Sequence, residues 1–158
     1  MTEIIVYTDG GSRNTGNVKG GNVKKTDKAA WAYLIQNDSE TIEGSKGFLG
    51  ATNNQMELTA VLEALRELYR RKLNDEAIVL VSDSQYVLKG ITQWLAGWKR
   101  NNWRTASKQP VKNVELWQVM DRALNYFPNI RFEWTKGHAG NYGNERVDDL
   151  LNQTMDQL

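Results

Sequence analysis

Two periodicities alternate along this chain, and the places where one gives way to the other mark its elements. Residues 3–8, 29–37 and 41–49 carry the short β-branched and aromatic runs of strands, and the polar connections between them predict an antiparallel meander. From Asn54 the spacing changes. Met56, Leu58, Val61, Leu62, Leu65, Leu68 and Tyr69 recur with a helical period, and the stretch closes on Arg70, Arg71 and Lys72, where cations suit a helix C-terminus. Residues 77–82 are almost uninterruptedly apolar, as a central strand covered on both faces requires. Short helical stretches around 84–98, an amphipathic helix near 113–126, a strand at 130–135 and a closing helix from about 143 complete the pattern. The order β-β-β-α-β-α-α-β-α predicts an α/β domain, a mixed sheet flanked by helices. Residues 13–28, rich in Gly, Asn and Lys, read as a long first hairpin connection.

Composition narrows the chemistry. The 158 residues suit one domain able to bury roughly 70% of its unfolded surface. No apolar run is long enough to span a bilayer, and residues 1–8 lack the pattern of a secretory signal, so the expected location is cytoplasmic. Zero cysteines and one histidine exclude disulfides, thiolate zinc sites and multi-histidine metal centres. Any metal must rest on oxygen ligands, which suit Mg²⁺ or Mn²⁺. The formal charge of +1 conceals an asymmetry: residues 84–114 hold Lys89, Lys99, Arg100, Arg104, Lys108 and Lys112 and no Asp or Glu.

Among the acids, position separates candidates from background. Asp9 and Asp83 read as the ends of apolar strands, each followed by small residues, Gly10-Gly11 and Ser84. Glu57 falls in the first turn of the long helix, on the face of Val61 and Ala64, and Asp148 lies early in the last helix. Carboxylates so placed can converge at the C-terminal edge of the central strands. Taken singly, each has an ordinary explanation, a helix N-terminal charge for Glu57 and Asp148 or a strand-end turn for Asp9 and Asp83. Together they form a cluster whose mutual repulsion, roughly 1–4 kcal/mol per pair at about 4 Å, a divalent cation removes. Two such ions sharing Asp9 could activate a water and stabilise a leaving oxygen, which is the requirement of phosphodiester hydrolysis.

Six motifs carry a resemblance over nearly the whole chain: Thr8-Asp9-Gly10, Thr52-Asn53-Asn54-Gln55-Met56-Glu57-Leu58, Ser82-Asp83-Ser84-Gln85-Tyr86-Val87, Gly90-Ile91-Thr92-Gln93-Trp94, Pro110-Val111-Lys112-Asn113-Val114 and Gly137-His138-Ala139-Gly140. The sequence resembles the type I ribonuclease H family, close to its bacterial members. The resemblance implies a ribonuclease H-like fold, a five-stranded mixed sheet with an antiparallel meander followed by parallel strands. It implies one catalytic domain over residues 1–158 with a basic protrusion around 94–112. The implied activity is endonucleolytic cleavage of the RNA strand of RNA/DNA hybrids by two-metal-ion catalysis, leaving a 5′-phosphate and a 3′-hydroxyl, with Mg²⁺ as cofactor and Mn²⁺ as a substitute. It makes Asp9, Glu57, Asp83 and Asp148 the metal ligands and places His138, in a loop with Gly137, Gly140 and Gly143, on the leaving side for proton transfer or product release. Glu145, three residues before Asp148, either contacts metal-bound water or is a plain helix N-terminal charge.

Discrimination of RNA from DNA requires sensing 2′-hydroxyls on one strand. By the resemblance, Asn53, Asn54 and Gln85 meet 2′-hydroxyls and minor-groove edges; the plain alternatives are N-capping for the asparagines, which is compatible with binding, and a solvated helix face for Gln85. Tyr86 and Trp94 pack on DNA sugars, Thr52 and Asn113 hold a DNA phosphate, and Lys99, Arg100, Arg104 and Lys108 supply salt-dependent attraction. Trp98 and Trp103 knit the protrusion together. Asn14 or Asn17 takes the loop-asparagine role, with Asn17, after Gly16, preferred. The family often carries Arg two positions before the phosphate-pocket threonine, and here that position is Gly50. The first connection is longer than in well-known bacterial members and carries Lys19, Lys24, Lys25 and Lys28, read as a solvated loop or an extension of the substrate surface. The expected state is a monomer. A DNA recombinase of the same architecture and a non-catalytic hybrid binder are the competing readings.

Overall fold

The computed structural model describes residues 3–13, 24–137 and 140–158. Its elements are β1 (Ile4–Arg13), β2 (Lys28–Gln36), β3 (Thr41–Leu49), α1 (Asn53–Arg70), β4 (Ile78–Ser82), α2 (Gln85–Lys89), a π-helical turn (Gly90–Trp94), α3 (Leu95–Arg100), α4 (Val114–Leu124), β5 (Ile130–Trp134) and α5 (Tyr142–Asp156). The five strands form one sheet in the order β3-β2-β1-β4-β5. β1, β2 and β3 pair antiparallel, whereas β4 runs parallel to both β1 and β5. The expected ribonuclease H-like topology is the observed one.

Strand alternation distributes the apolar residues over two layers. Ala29, Trp31, Tyr33 and Ile35 of β2 join the main core with Met56, Leu58, Val61, Leu65 and Leu68 of α1 and Leu80 of β4. The intervening Ala30, Ala32 and Leu34 pack on Val147, Leu151 and Met155 of α5. β2 is therefore covered on both faces, which explains its unbroken apolar sequence. The second layer is small and is reinforced by ion pairs, Arg146 to Glu43 of β3 and Arg13 of β1 to Asp156.

Three boundaries differ from the sequence reading, each for a reason of pairing. β1 does not stop at residue 8. Its antiparallel partner β2 continues the ladder to Arg13 opposite Lys28, so Asp9 lies inside the strand opposite Ala32. On the other side the parallel ladder ends at Thr8 opposite Ser82, which leaves Asp9 as the first β1 residue beyond β4. Glu57 falls in the second turn of α1, because Thr52 caps the helix: the Thr52 hydroxyl accepts from Gln55 N–H at 3.1 Å and Gln55 Oε1 accepts from Thr52 N–H at 2.9 Å. The cap is Thr52 and neither asparagine. Gly143 is no part of a loop. It is buried within α5, where its lack of a side chain admits the Tyr7 ring.

The segment after β4 is one continuous coil from Gln85 to Arg100 with a π-helical turn in its middle. Trp117 of α4, fully buried, packs against the start of that turn. A Cβ on Gly90 would lie 2.0 Å from the Trp117 ring, so the glycine is the notch that receives it. Trp117 then gathers Tyr86 at 5.6 Å and Trp98 at 5.2 Å, with Trp94 packed outside them. The sequence reading missed Trp117, whose only signal is a tryptophan on the apolar face of the helix. Gly90→Ala is expected to destabilise the protein by about 1–3 kcal/mol through overpacking, measured by urea unfolding; unchanged stability would show that the notch is not needed.

Candidate active site

The acids meet where β4 ends, beside the middle of β1 and the first turns of α1. Gly10 makes the meeting possible. A Cβ there would sit 2.2 Å from the Met56 carbonyl carbon and 2.4 Å from Glu57 N, so β1 and α1 touch backbone to backbone. The Gly10 N–H donates to Asp9 Oδ1 at 3.0 Å and also to Glu57 Oε1. One oxygen from each of Asp9, Glu57 and Asp83 lies within 4.8 Å of the others. Asp9 and Glu57 are 7% and 9% exposed, and Asp83 is half-buried. Asp148, half-buried on α5, is outside that trio, yet its charge acts on Asp9.

Burial and like charge have the expected electrostatic result. The Asp9 carboxyl is pushed up to about 9, by desolvation first and then by the charges of Glu57, Asp83 and Asp148. Glu57 is pushed up to about 7 by desolvation and Asp83, against hydrogen bonds from the Ser84 hydroxyl and the Gly10 amide that favour its charged form. All the donors in the trio are carboxylate oxygens, the set that suits a hard divalent cation. A cation there would replace the missing countercharge, so the residues fit such an ion.

Two further residues flank the trio: Ser84, which the sequence offers only as the small residue after Asp83, and Trp134, which it gives no role. The Ser84 hydroxyl caps α2, accepting from Val87 N–H at 3.2 Å, and favours the charged form of the Glu57 carboxyl. Trp134 Nε1 donates to the Asp83 carbonyl at 3.2 Å, and Gly137 lies against the Asp83 carboxylate. A side chain that bonds across elements leaves no periodic trace in the sequence.

The substrate candidates fall into two groups. Asn53, Asn54 and Gln85 are exposed beside the trio, and Asn53 Oδ1 accepts from Ser12 N–H at 2.5 Å, tying α1 to β1. Tyr86 is half-buried. Its hydroxyl accepts from Trp117 Nε1 at 3.0 Å and from Asn113 Nδ2 at 3.4 Å, so Tyr86 and Asn113 are linked. Trp94 is 37% exposed at the edge of the aromatic cluster. Arg100, Arg104 and Lys108 are exposed, with Arg104 Nη1 bonded to the Lys108 carbonyl at 3.3 Å. Lys99 is not free: Asp121 of α4, outside the acid-free stretch in sequence, folds back to 3.2 Å from it. Thr52 is engaged in its helix cap. His138, Asn14, Asn17 and Lys19 lie outside the described residues.

A buried carboxylate cluster at the end of a mixed sheet, flanked by exposed amides and cations, defines a metal-dependent phosphodiesterase class of site. Comparison with known proteins makes this specific. The RNase H family profile matches residues 1–156. A ribonuclease H from Hydrogenovibrio crunogenus is 45% identical over 158 residues, covering 100% of this chain and 99% of that protein. The structure of RNase H1 from the archaeon Halobacterium salinarum superposes with a TM-score of 0.69 at 25% identity, over 99% of this chain and 100% of that one. LC11-RNase H1, solved in complex with an RNA/DNA hybrid, gives a TM-score of 0.71 at 24% identity over 98% of each chain. The chain belongs to the ribonuclease H family. Among the described residues, no helix is long and apolar enough to cross a membrane.

Raised carboxyl pKa values mean that the metal-free fold binds more protons than the unfolded chain between the ordinary carboxylate range and about pH 9. The contribution of Asp9 to stability is therefore full in acid and is lost as pH rises through that window. Asp9→Asn is expected to reduce this dependence and to stabilise the metal-free protein near pH 8.5 by about 2 kcal/mol, with little gain near pH 4. Urea unfolding in EDTA at both pH values measures it. A variant no more stable than the parent at the higher pH would show that the cluster carries no net repulsion.

Proposed function

We propose that this chain acts as a single catalytic domain that hydrolyses the RNA strand of RNA/DNA hybrids endonucleolytically with divalent metal ions, Mg²⁺ in the first place. The observation that carries the reading is the trio of Asp9, Glu57 and Asp83 with oxygens within 4.8 Å in a largely buried setting. Family membership and the hybrid seen bound to LC11-RNase H1 support the substrate. Action as a cytoplasmic monomer belongs to the same reading.

Asp9, Glu57, Asp83 and Asp148 would hold the ions. Bound there, two divalent cations supply the charge neutralisation an in-line displacement needs, at the attacking water and at the leaving oxygen. The chain's own groups do the rest. The Gly10 amide donates to the Glu57 carboxylate, and with the Ser84 hydroxyl it favours the charged form against burial and the Asp83 charge. Asn53, Asn54 and Gln85, exposed beside the acids, offer donors and acceptors to 2′-hydroxyls. Tyr86 and Trp94 present aromatic faces to sugars of the DNA strand, and Thr52 and Asn113 hold a DNA phosphate. Lys99, Arg100, Arg104 and Lys108 of the protrusion, residues 94–112, add backbone attraction, with Lys99 leaving Asp121 to do so. Asn17 takes the loop contact to the RNA strand. Water attacks phosphorus, the bond from phosphorus to the 3′ oxygen breaks, and a proton reaches that oxygen with the help of His138. The products are a 5′-phosphate and a 3′-hydroxyl.

End-labelled RNA in a hybrid is expected to be cut with Mg²⁺ and left intact with EDTA, while duplex DNA, duplex RNA and single-stranded RNA survive. Asp9→Asn is expected to slow cleavage at least about a hundredfold, the loss of several kcal/mol of charge stabilisation, with hybrid binding in EDTA largely retained. Cleavage of duplex DNA would move the chain to a recombinase-like activity. Near-normal cutting by the variant would remove the two-metal assignment.

A further inference from the structure

The lysine-rich end of the first connection is built into the fold beside the site. Residues 24–27 form a turn whose anchor, Asp27, is 1% exposed. Asp27 Oδ2 accepts from Lys24 N–H at 2.7 Å, and its carbonyl accepts from Gly50 N–H at 2.8 Å. Gly50 has φ +82°, and a Cβ on it would lie 3.2 Å from the Lys25 Cα and 3.3 Å from the Lys25 carbonyl oxygen. The backbone of Lys25 thus lies against the face of Gly50, two residues before the Thr52 cap of α1. The one acid of this turn is turned inward, while Lys24 and Lys25 are exposed and Lys28 is half-buried.

The sheet register sets this turn at the same end as the acids. Lys28 pairs with Arg13 on β1 and Leu49 on β3, four residues along from the level of Asp9 and Ala32, or roughly 13 Å at strand rise. The Asn53 bond to Ser12 fixes the start of α1 at that end too. These lysines belong to the cations that no carboxylate of the described residues neutralises. Arg13, Arg70, Arg71, Lys99, Arg131 and Arg146 all have a carboxylate within 4.0 Å. Among the described residues, Lys24, Lys25 and Lys28 have none. Unpaired cations held in place at one edge of a nuclease site, with the protrusion's Arg100, Arg104 and Lys108 in another segment, suit a polyanion that spans both.

We propose that Lys24 and Lys25, aided by Lys28 and held by the Asp27–Gly50 clamp, form a second cationic contact to backbone phosphates of the hybrid beside the start of α1. The inference rests on the hybrid reading and deepens it. A duplex seated on the acids would be gripped from two sides, and part of its affinity would depend on a turn that precedes β2.

The test is the salt dependence of hybrid binding. The full chain and its Lys24→Gln/Lys25→Gln variant are titrated against a labelled RNA/DNA hybrid in EDTA at several salt concentrations, by fluorescence anisotropy. The expected result is several-fold weaker binding at low salt and a slope of log K against log salt that is smaller by about 1–2, one released counterion per lost lysine contact. The Lys24→Arg/Lys25→Arg variant is expected to restore both. An unchanged slope and affinity in the Gln variant would overturn the proposal, as would equal losses in the Gln and Arg variants, which would mean that shape and not charge is used. Thermal midpoints equal to the parent's exclude a folding effect. If the parent chain itself neither binds nor cuts the hybrid, the functional reading fails and not this inference alone.

Discussion

Everything at the site depends on the contact between Gly10 of β1 and the Met56–Glu57 peptide of α1. A strand and a helix rarely meet backbone to backbone, because side chains hold them about 10 Å apart. Here the missing side chain lets α1 descend onto the strand, and the Gly10 amide binds both Asp9 and Glu57. The main core beneath, built by β2, β4 and α1, supplies the burial that opposes the resulting repulsion. Desolvation and repulsion raise both carboxyl pKa values, a cost that a cation bound among the acids would remove.

The two layers of the fold contribute unequally. α1 and β4 hold Glu57 and Asp83 on the large core, whereas Asp148 rides on α5, whose own apolar cluster is small and includes Val147 and Leu151. Ion pairs from Arg13 and Arg146 tie α5 to the sheet at its edges. Asp148 consequently sits outside the tight trio while still contributing its field to Asp9. The protrusion has a scaffold of its own in Trp117, around which Tyr86, Trp94 and Trp98 close. Since Tyr86 also bonds Asn113, two proposed substrate contacts are joined to one buried ring.

Strands, helices and acids were legible because each leaves a local mark. The helical stripe from Met56 to Tyr69, the apolar run before Asp83 and the alternation of the meander each reflect burial along a single element. What was misplaced depended on a partner. Asp9 looked like a strand end because the apolar run stops at Val6 and Tyr7, but pairing with β2 carries β1 on to Arg13. Lys99 looked unopposed because its neighbours in sequence hold no acid, but Asp121 reaches it from α4. Gly143 looked like loop, yet it belongs to a helix that must pass the Tyr7 ring.

The sequence by itself determined the order of elements, the oxygen-only character of any metal site and which acids to look for at the strand ends, through motifs dense enough to point to a family. Tertiary structure alone decided how close those acids come, which cations remain unpaired and which glycines are required. The physical reason is range. Periodicity and composition record what each residue meets along its own element, whereas repulsion among carboxylates, the Trp117 notch and the clamp on Gly50 exist only between segments far apart in the chain.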